Sequence, residues 1–260
     1  MNASTQTASM TTTAKSASAA AADREYRGRK LEPLRAIGAF GRLMRDKEDT
    51  RQVFEIMNAL TGQSTPRGYA RLTRMAGGIA FEREELSRRF SDPAWLARFE
   101  PGTVGAAYRE FMTRENLTVD GLRKDNEAVS PFIEAPHVFA WYARRIRDIH
   151  DVWHVLTGYG RDALGEACLV AFSYAQTRNK GFGFIAVMAA LRMRARGMPI
   201  RGAVLEGWRN GRRAAWLPAQ DYAALFAEPL DEVRARLNIP APARYIAVPE
   251  QVRNGLNFGG

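Results

Sequence analysis

The chain of 260 residues has a single cysteine, Cys168, and only three histidines. One cysteine cannot close an internal disulfide, which fits a reducing compartment and excludes a cysteine-rich zinc site. On an apolar helix face Cys168 reads as a small buried core residue. No run of about 18 apolar residues occurs, so a transmembrane helix is not expected. The longest apolar run, Gly181 to Leu191, is too short to span and is bounded by Lys180 and Arg192. Alternating strand patterns are nearly absent and no internal repeat is visible, which leaves an all-α reading: one mainly helical domain over 24–240. Residues 1–23 are almost wholly Ala, Ser and Thr, have little to bury, and are expected to be a disordered tail. They lack the apolar core of a secretory signal; the alternative is an organelle transit peptide, which is Ser-rich and acid-poor like this stretch but normally also Arg-rich and amphipathic. Residues 241–260, rich in Pro, Gly and Asn, are expected to form a second tail.

What the chain does have is positive charge. The net charge of +10 calls for an anionic partner or surface. Between Arg178 and Arg213 nine basic residues face one acid, Glu206, so most of the excess lies in that window. The apolar run inside it, Phe182 to Leu191, suggests a membrane-facing patch or a channel for an apolar chain. The plainer alternative is a core helix with a solvated basic end. Replacing Arg192, Arg194 and Arg196 with Glu distinguishes the two, because docking predicts weaker liposome binding. Nucleic acid is set aside, because no DNA- or RNA-binding motif accompanies the charge.

Helical spacing starts at Leu31 and continues through Leu34, Ile37, Phe40 and Met44. Asp49-Thr50, Asp92-Pro93 and Thr103 mark further helix starts. The strongest helix is expected over Phe139 to Gly160, followed by another over 162–176. His137 lies in a proline-containing stretch three residues after Glu134. Pro136 inside that spacing disfavours a Glu-x-x-His metal motif on a helix, and His137 reads as an ordinary surface or core histidine.

Two of the three histidines fall within one helical turn, His150-Asp151-Val152-Trp153-His154, and Glu166 follows after eleven residues. On a helix with His150 at zero, His154 falls at about 40°, Arg147 at about 60° and Asp151 at about 100°, while Ile149, Val152, Trp153 and Leu156 take the opposite arc. Two imidazoles and a carboxylate therefore share one face, the geometry by which paired histidines bind a single ion. Gly158 and Gly160 can end this helix, and Asp162 can cap the next. Glu166 is then brought level with His154 across an antiparallel pair. Zinc, iron, manganese and cobalt all accept such a mixed N/O set, and three or all four residues can bind. The alternative is a polar helix face that happens to hold two histidines. An HD-type phosphohydrolase would need a separate upstream histidine, for which only His137 is available.

HDxxH followed by eleven residues and Glu, flanked by Arg145 to Ile149 and by Leu164-Gly165, resembles the motif of the ubiquinone (coenzyme Q) biosynthesis protein four family. Pro101-Gly102-Thr103-Val104-Gly105 with Tyr108 and Phe111 is similar to that family's PGT-x-G-x-x-Y-x-x-F segment. Trp208-Arg209-Asn210-Gly211, Pro229 to Arg234 and Leu237-Asn238-Ile239 are similar to its C-terminal part. The likeness covers about residues 31–239. It implies an all-helical protein binding a divalent metal, described in the family as zinc, through His150, Asp151, His154 and Glu166. The implied substrate is a polyprenylated 4-hydroxybenzoate that loses its C1 carboxylate, the chemistry of a carbon–carbon lyase or oxidative decarboxylase that couples this loss to C1 hydroxylation. Arg147, on the ligand face, is the candidate partner for the substrate carboxylate or for a ligand carboxylate. The implied alternative is a non-catalytic scaffold or a component that presents the prenyl lipid. The partners implied are other ubiquinone-biosynthesis proteins and a membrane surface, with homodimerisation left open. The corresponding place is the cytoplasmic face of a bacterial inner membrane or the matrix side of the mitochondrial one.

Overall fold

Prolines and short polar side chains open the helices. The computed structural model describes residues 3–46, 49–75, 85–117, 124, 126–130, 132–193, 195 and 197–256, the side chains of 3–14 and 50 excepted. Asp92 accepts from the Ala94 amide at 2.9 Å, with Pro93 in the first turn that follows. Thr103 Oγ1 accepts from the Ala106 amide at 3.3 Å, and Asp162 Oδ1 from that of Gly165 at 3.0 Å. The elements in order are α1 (Ala3–Gly28), α2 (Pro33–Leu43), α3 (Thr50–Thr61), α4 (Ser64–Leu72), α5 (Leu86–Phe90), α6 (Pro93–Ala97) and α7 (Val104–Arg114). Then come α8 (Val138–Asp148), α9 (His150–Thr157), α10 (Ala163–Thr177), α11 (Lys180–Arg192) and α12 (Ile200–Arg213). Short helices Tyr222–Leu225, Leu230–Arg236, Ala243–Ile246 and Glu250–Gly255 close the chain. No strand occurs among the described residues, and Thr103 meets Pro229 as an isolated antiparallel bridge. The expected all-α class is what the structure has.

The centre of the molecule is α10, which is apolar on nearly every side. Leu164, Ala167, Cys168, Leu169, Ala171 and Phe172 are all buried, as a helix without a polar face must be. Helix α12 lies directly against it, because two of the contact positions carry no side chain. A Cβ on Gly207 would sit 2.4 Å from the Cys168 carbonyl oxygen, and one on Gly211 2.5 Å from that of Phe172. Helix α11 packs on another side of α10 and touches α3, which in turn pairs with α2. Cys168 is fully buried, as expected.

Three expectations need correction. Residues 1–23 do not form a disordered tail: helix α1 begins at Ala3, and its C-terminal part docks where Ala22 and Tyr26 bury against Phe139 and Ala140. Alanine is the best helix former, and this propensity together with the Tyr26 anchor outweighs the lack of apolar bulk. Residues 241–260 are not a free tail either, since Tyr245 and Val248 are buried and two short helices follow Pro242 and Pro249. Finally, the helix expected over Phe139 to Gly160 is divided at Ile149, which belongs to neither α8 nor α9. In the apolar run, α11 buries Ile185, Ala186 and Ala189 yet leaves Val187 and Leu191 more than half exposed. Arg194 and Arg196 lie outside the described residues. No helix of the described residues is long and apolar enough to cross a membrane.

Candidate metal centre

Gly158 takes the left-handed conformation (φ 76°) that ends α9, and Asp162 caps α10. The chain between them turns tightly because Gly165 lets the first turn of α10 touch the preceding loop: a Cβ there would lie 2.1 Å from the Gly160 carbonyl oxygen. This turn places Glu166 against both histidines. One nitrogen of His150, one of His154 and one carboxylate oxygen of Glu166 lie within 4.8 Å of one another. His154 Nε2 is 3.4 Å from Glu166 Oε1, and His150 Nε2 is 3.9 Å from Oε2.

His154 is held from two sides. Its Nδ1 lies 2.9 Å from the Tyr159 carbonyl oxygen, which only accepts, so in the neutral ring Nδ1 carries the proton and Nε2 presents its lone pair to the site. Its ring stacks on Phe111 of α7 at 5.2 Å, and the adjacent Trp153 donates to the Tyr222 hydroxyl at 2.7 Å. Burial alone would lower the His154 pKa, but the Glu166 and Asp151 charges outweigh it and raise it above the usual imidazole range. For Glu166, burial works upward, and the His154 and His150 rings overcome it, holding the carboxyl well below its usual range. Each group stabilises the charged form of the other, as expected where a divalent ion is to replace the protons. The donor chemistry fits a divalent ion: two imidazole nitrogens and a carboxylate, one ring already fixed by a backbone carbonyl.

Asp151, expected as a fourth ligand, is not one of this trio. It is buried one position along α9, and burial lifts its carboxyl against the pull of His150 and His154. Arg147 lies on α8, across the Ile149 break from His150. Its Nε donates to Asp148 Oδ1 at 2.9 Å, and Nη1 approaches Glu134 Oε1 at 3.4 Å. Its side chain still lines the same cavity as His150 and Glu166. His137 is an N-cap: its Nδ1 accepts from the Phe139 amide at 3.2 Å, far in role from any metal set.

Three contributors escaped the sequence reading. Arg161 Nε stands 3.7 Å from Glu166 Oε1. Phe111 supplies the face on which His154 stacks. Tyr245, from the stretch read as a tail, hydrogen-bonds Asp162 Oδ2 through its hydroxyl, which also accepts from the Gly160 amide at 3.0 Å. It thereby clamps the turn that presents Glu166. Only Phe111 had a sequence signal, its place in the Pro101–Phe111 segment.

The cavity beside the trio measures about 200 Å³ and runs between α3, α8, α10 and α11. His150 and Glu166 stand at its wall, and Val53, Met57, Ile146 and Phe182 make it largely apolar. The Phe182 ring lies parallel to that of His150 at 6.3 Å.

The model of the family described as coenzyme Q (ubiquinone) biosynthesis protein Coq4 matches residues 72–243. The chain belongs to this family. It is similar to the mitochondrial ubiquinone biosynthesis protein COQ4 homolog of Danio rerio, 29% identical over 166 residues, 63% of this chain and 59% of that one. The Homo sapiens counterpart is 27% identical over 170 residues, 65% of this chain and 62% of its own length. The chain thus spans about three fifths of the length of these relatives. A crystal structure of a Nostoc punctiforme protein assigned to ubiquinone biosynthesis superposes with a TM-score of 0.56 at 21% identity, covering 82% of this chain and all of that one, and shares the fold. The matched residues 72–243 include His150, His154 and Glu166.

Proposed function

We propose that the chain catalyses the metal-dependent loss of the C1 carboxylate from a polyprenylated 4-hydroxybenzoate intermediate at a membrane surface. C1 takes a hydroxyl as its carboxylate leaves as carbon dioxide, with dioxygen accepting the two electrons and water completing the balance, so that hydrogen peroxide is released (ArCO2H + O2 + H2O → ArOH + CO2 + H2O2). The observation that supports this reading most is the meeting of a three-donor set with an apolar cavity. His150, His154 and Glu166 stand beside walls suited to a ring and the start of a prenyl chain. His150 and His154 through Nε2, and Glu166 through its carboxylate, would hold the ion, with Asp151 as the proposed fourth ligand. A bound divalent ion of this ligand class, zinc or else iron, manganese or cobalt, supplies a Lewis acid at a phenol or carboxylate oxygen.

The protein's own side chains do the rest. The Tyr159 carbonyl and the Phe111 ring fix His154, so no reorganisation is needed when a ligand arrives. Arg147 at the cavity wall offers a cation to the substrate carboxylate, which would take over from Glu134 as its exposed partner. Val53, Met57, Ile146 and Phe182 exclude water from the ring and the first prenyl units.

The test is metal analysis of the purified protein, followed by assay with a short-chain prenylated hydroxybenzoate under air and under nitrogen. Turnover that needs both oxygen and the ion supports the proposal. Simple decarboxylation under nitrogen would contradict its oxidative part, and His154→Ala should lose both ion and turnover. A second reading, a scaffold or prenyl-lipid-presenting component, draws on the exposed Leu34 and Ile37 of α2. It would be supported if a metal-free variant still restored ubiquinone synthesis in cells lacking the protein. The relatives' mitochondrial names carry over here only as a proposal that the chain works at an inner membrane, whether bacterial or mitochondrial.

A further inference from the structure

A second cavity of about 620 Å³ adjoins the first, with Arg29, Thr61, Ser64 and Thr177 lining both. Its wall brings together Lys30 after α1, Arg67 and Arg71 of α4, Arg178 at the end of α10, and Lys180 at the start of α11. Among the described residues no Asp or Glu lines it; a sixth cation at the wall, Arg29, pairs with Glu25 at 3.2 Å, and none of the other five pairs with a carboxylate. Nearby cations that do meet a carboxylate are paired, Arg27 with Asp23 at 2.9 Å and Arg35 with Glu55 at 2.6 Å. Five like charges around one hollow repel one another until an anion enters.

The hollow is built rather than incidental. The Arg71 guanidinium lies 4.2 Å from the centre of the Trp216 ring, and Trp216 Nε1 donates to the Gln176 carbonyl at 2.8 Å. Gln63 Nε2 donates to the Arg27 carbonyl at 2.7 Å, fixing the end of α1 beside α4. The rim is apolar on one side. Leu31 lines the hollow and is 41% exposed, and along α2 Leu34 and Ile37 follow at 84% and 56% exposed. A free phosphate has no use for hydrocarbon at the rim, whereas a lipid phosphate arrives with acyl chains beside it.

We infer that this groove binds the phosphate of an anionic membrane lipid, with Leu31, Leu34 and Ile37 entering the acyl boundary. The inference rests on the membrane-surface part of the function proposed above and is independent of its chemistry. The orientation it sets places the shared wall at Thr61, Ser64 and Thr177 between the lipid and the cavity that holds His150.

The experiment is sedimentation of the full chain with vesicles of phosphatidylglycerol and phosphatidylcholine, or of phosphatidylcholine alone, without substrate. The wild type should bind the anionic vesicles and leave the neutral ones. Arg67→Gln with Lys180→Gln should weaken binding by about 5-fold per cation removed, the equivalent of ~1 kcal/mol each. Arg212→Gln with Arg213→Gln, an equal charge change outside the groove, should leave binding within about two-fold, since such attraction fades within a Debye length. Leu34→Ser with Ile37→Ser should weaken binding with all cations present. Equal losses in the groove and control variants would overturn the inference, as would vesicle binding untouched by either change in the groove or on α2. Saturable binding of inorganic phosphate without vesicle binding would also overturn it, assigning the groove to a soluble anion. His154→Ala should bind vesicles like the wild type, so failure of the decarboxylase reading would leave this result standing.

Discussion

The hairpin of α9 and α10 and the face made by α2, α4 and the start of α11 treat polar groups in opposite ways. In the hairpin almost every polar group is answered from within. His154 Nδ1 meets the Tyr159 carbonyl, Thr157 Oγ1 donates to the Trp153 carbonyl at 2.6 Å, and Asp162 is shared between the Gly165 amide and Tyr245. Beside Tyr159 Oη and Ser173 Oγ, which are buried without a partner, the groups facing inward without a full complement are the three donors around the proposed ion. On the other face, five cations lack carboxylate partners and three large apolar side chains stand in solvent. Buried polar groups left unanswered cost about 1–3 kcal/mol each, so the first arrangement marks a position prepared for one small ion. Exposed groups left unanswered cost little in the folded chain alone, so the second arrangement is a surface awaiting a partner.

Glycine substitutions should separate the two regions most sharply. Gly165→Ala forces a methyl against the Gly160 backbone and should destabilise the chain by about 3 kcal/mol, read as a large fall in Tm. Gly41→Ala on α2 meets nothing within 4 Å and should raise stability by about 0.5–1 kcal/mol. A smaller effect is expected of Tyr245→Phe, which removes the hydroxyl that clamps the Glu166 turn. It should cost about 1–2 kcal/mol and weaken metal binding by about 10-fold, the two readouts being denaturation and metal titration.

Acid should act on the hairpin alone. The metal-free His154 takes up its proton above the 6.5 of an unperturbed imidazole, and that proton competes with the ion. Metal affinity should therefore be full at alkaline pH and fall as pH drops through the raised His154 pKa, while the His154→Gln protein should not show this step. The smallest effect is expected of Leu34→Ser, which sits in solvent and should change stability by less than about 0.5 kcal/mol in a urea titration.

The hairpin was largely legible from its residues because its signals are local. Two histidines four apart, a glycine that can turn left-handed and an aspartate cap together place Glu166 without reference to the rest of the chain. The break at Ile149 was not legible: apolar spacing runs through it unbroken, and no proline or glycine marks it. It puts Arg147 on a different helix from His150, so the single-wheel angle between them does not describe the structure. The clamp from Tyr245 was hidden for another reason. Its contact spans more than eighty residues, and the prolines around it announce only that long helices stop there. The docking of α1 was not legible because the stretch is poor in apolar bulk, and the burial of Ala22 and Tyr26 against Phe139 depends on a contact more than a hundred residues away.

The most direct test of the central claim is metal content per chain, measured on protein purified without added chelator and compared with Glu166→Ala and Asp151→Ala. The account predicts one ion per wild-type chain, near none in Glu166→Ala, and an intermediate occupancy in Asp151→Ala. Equal metal in the wild type and in Glu166→Ala would contradict it.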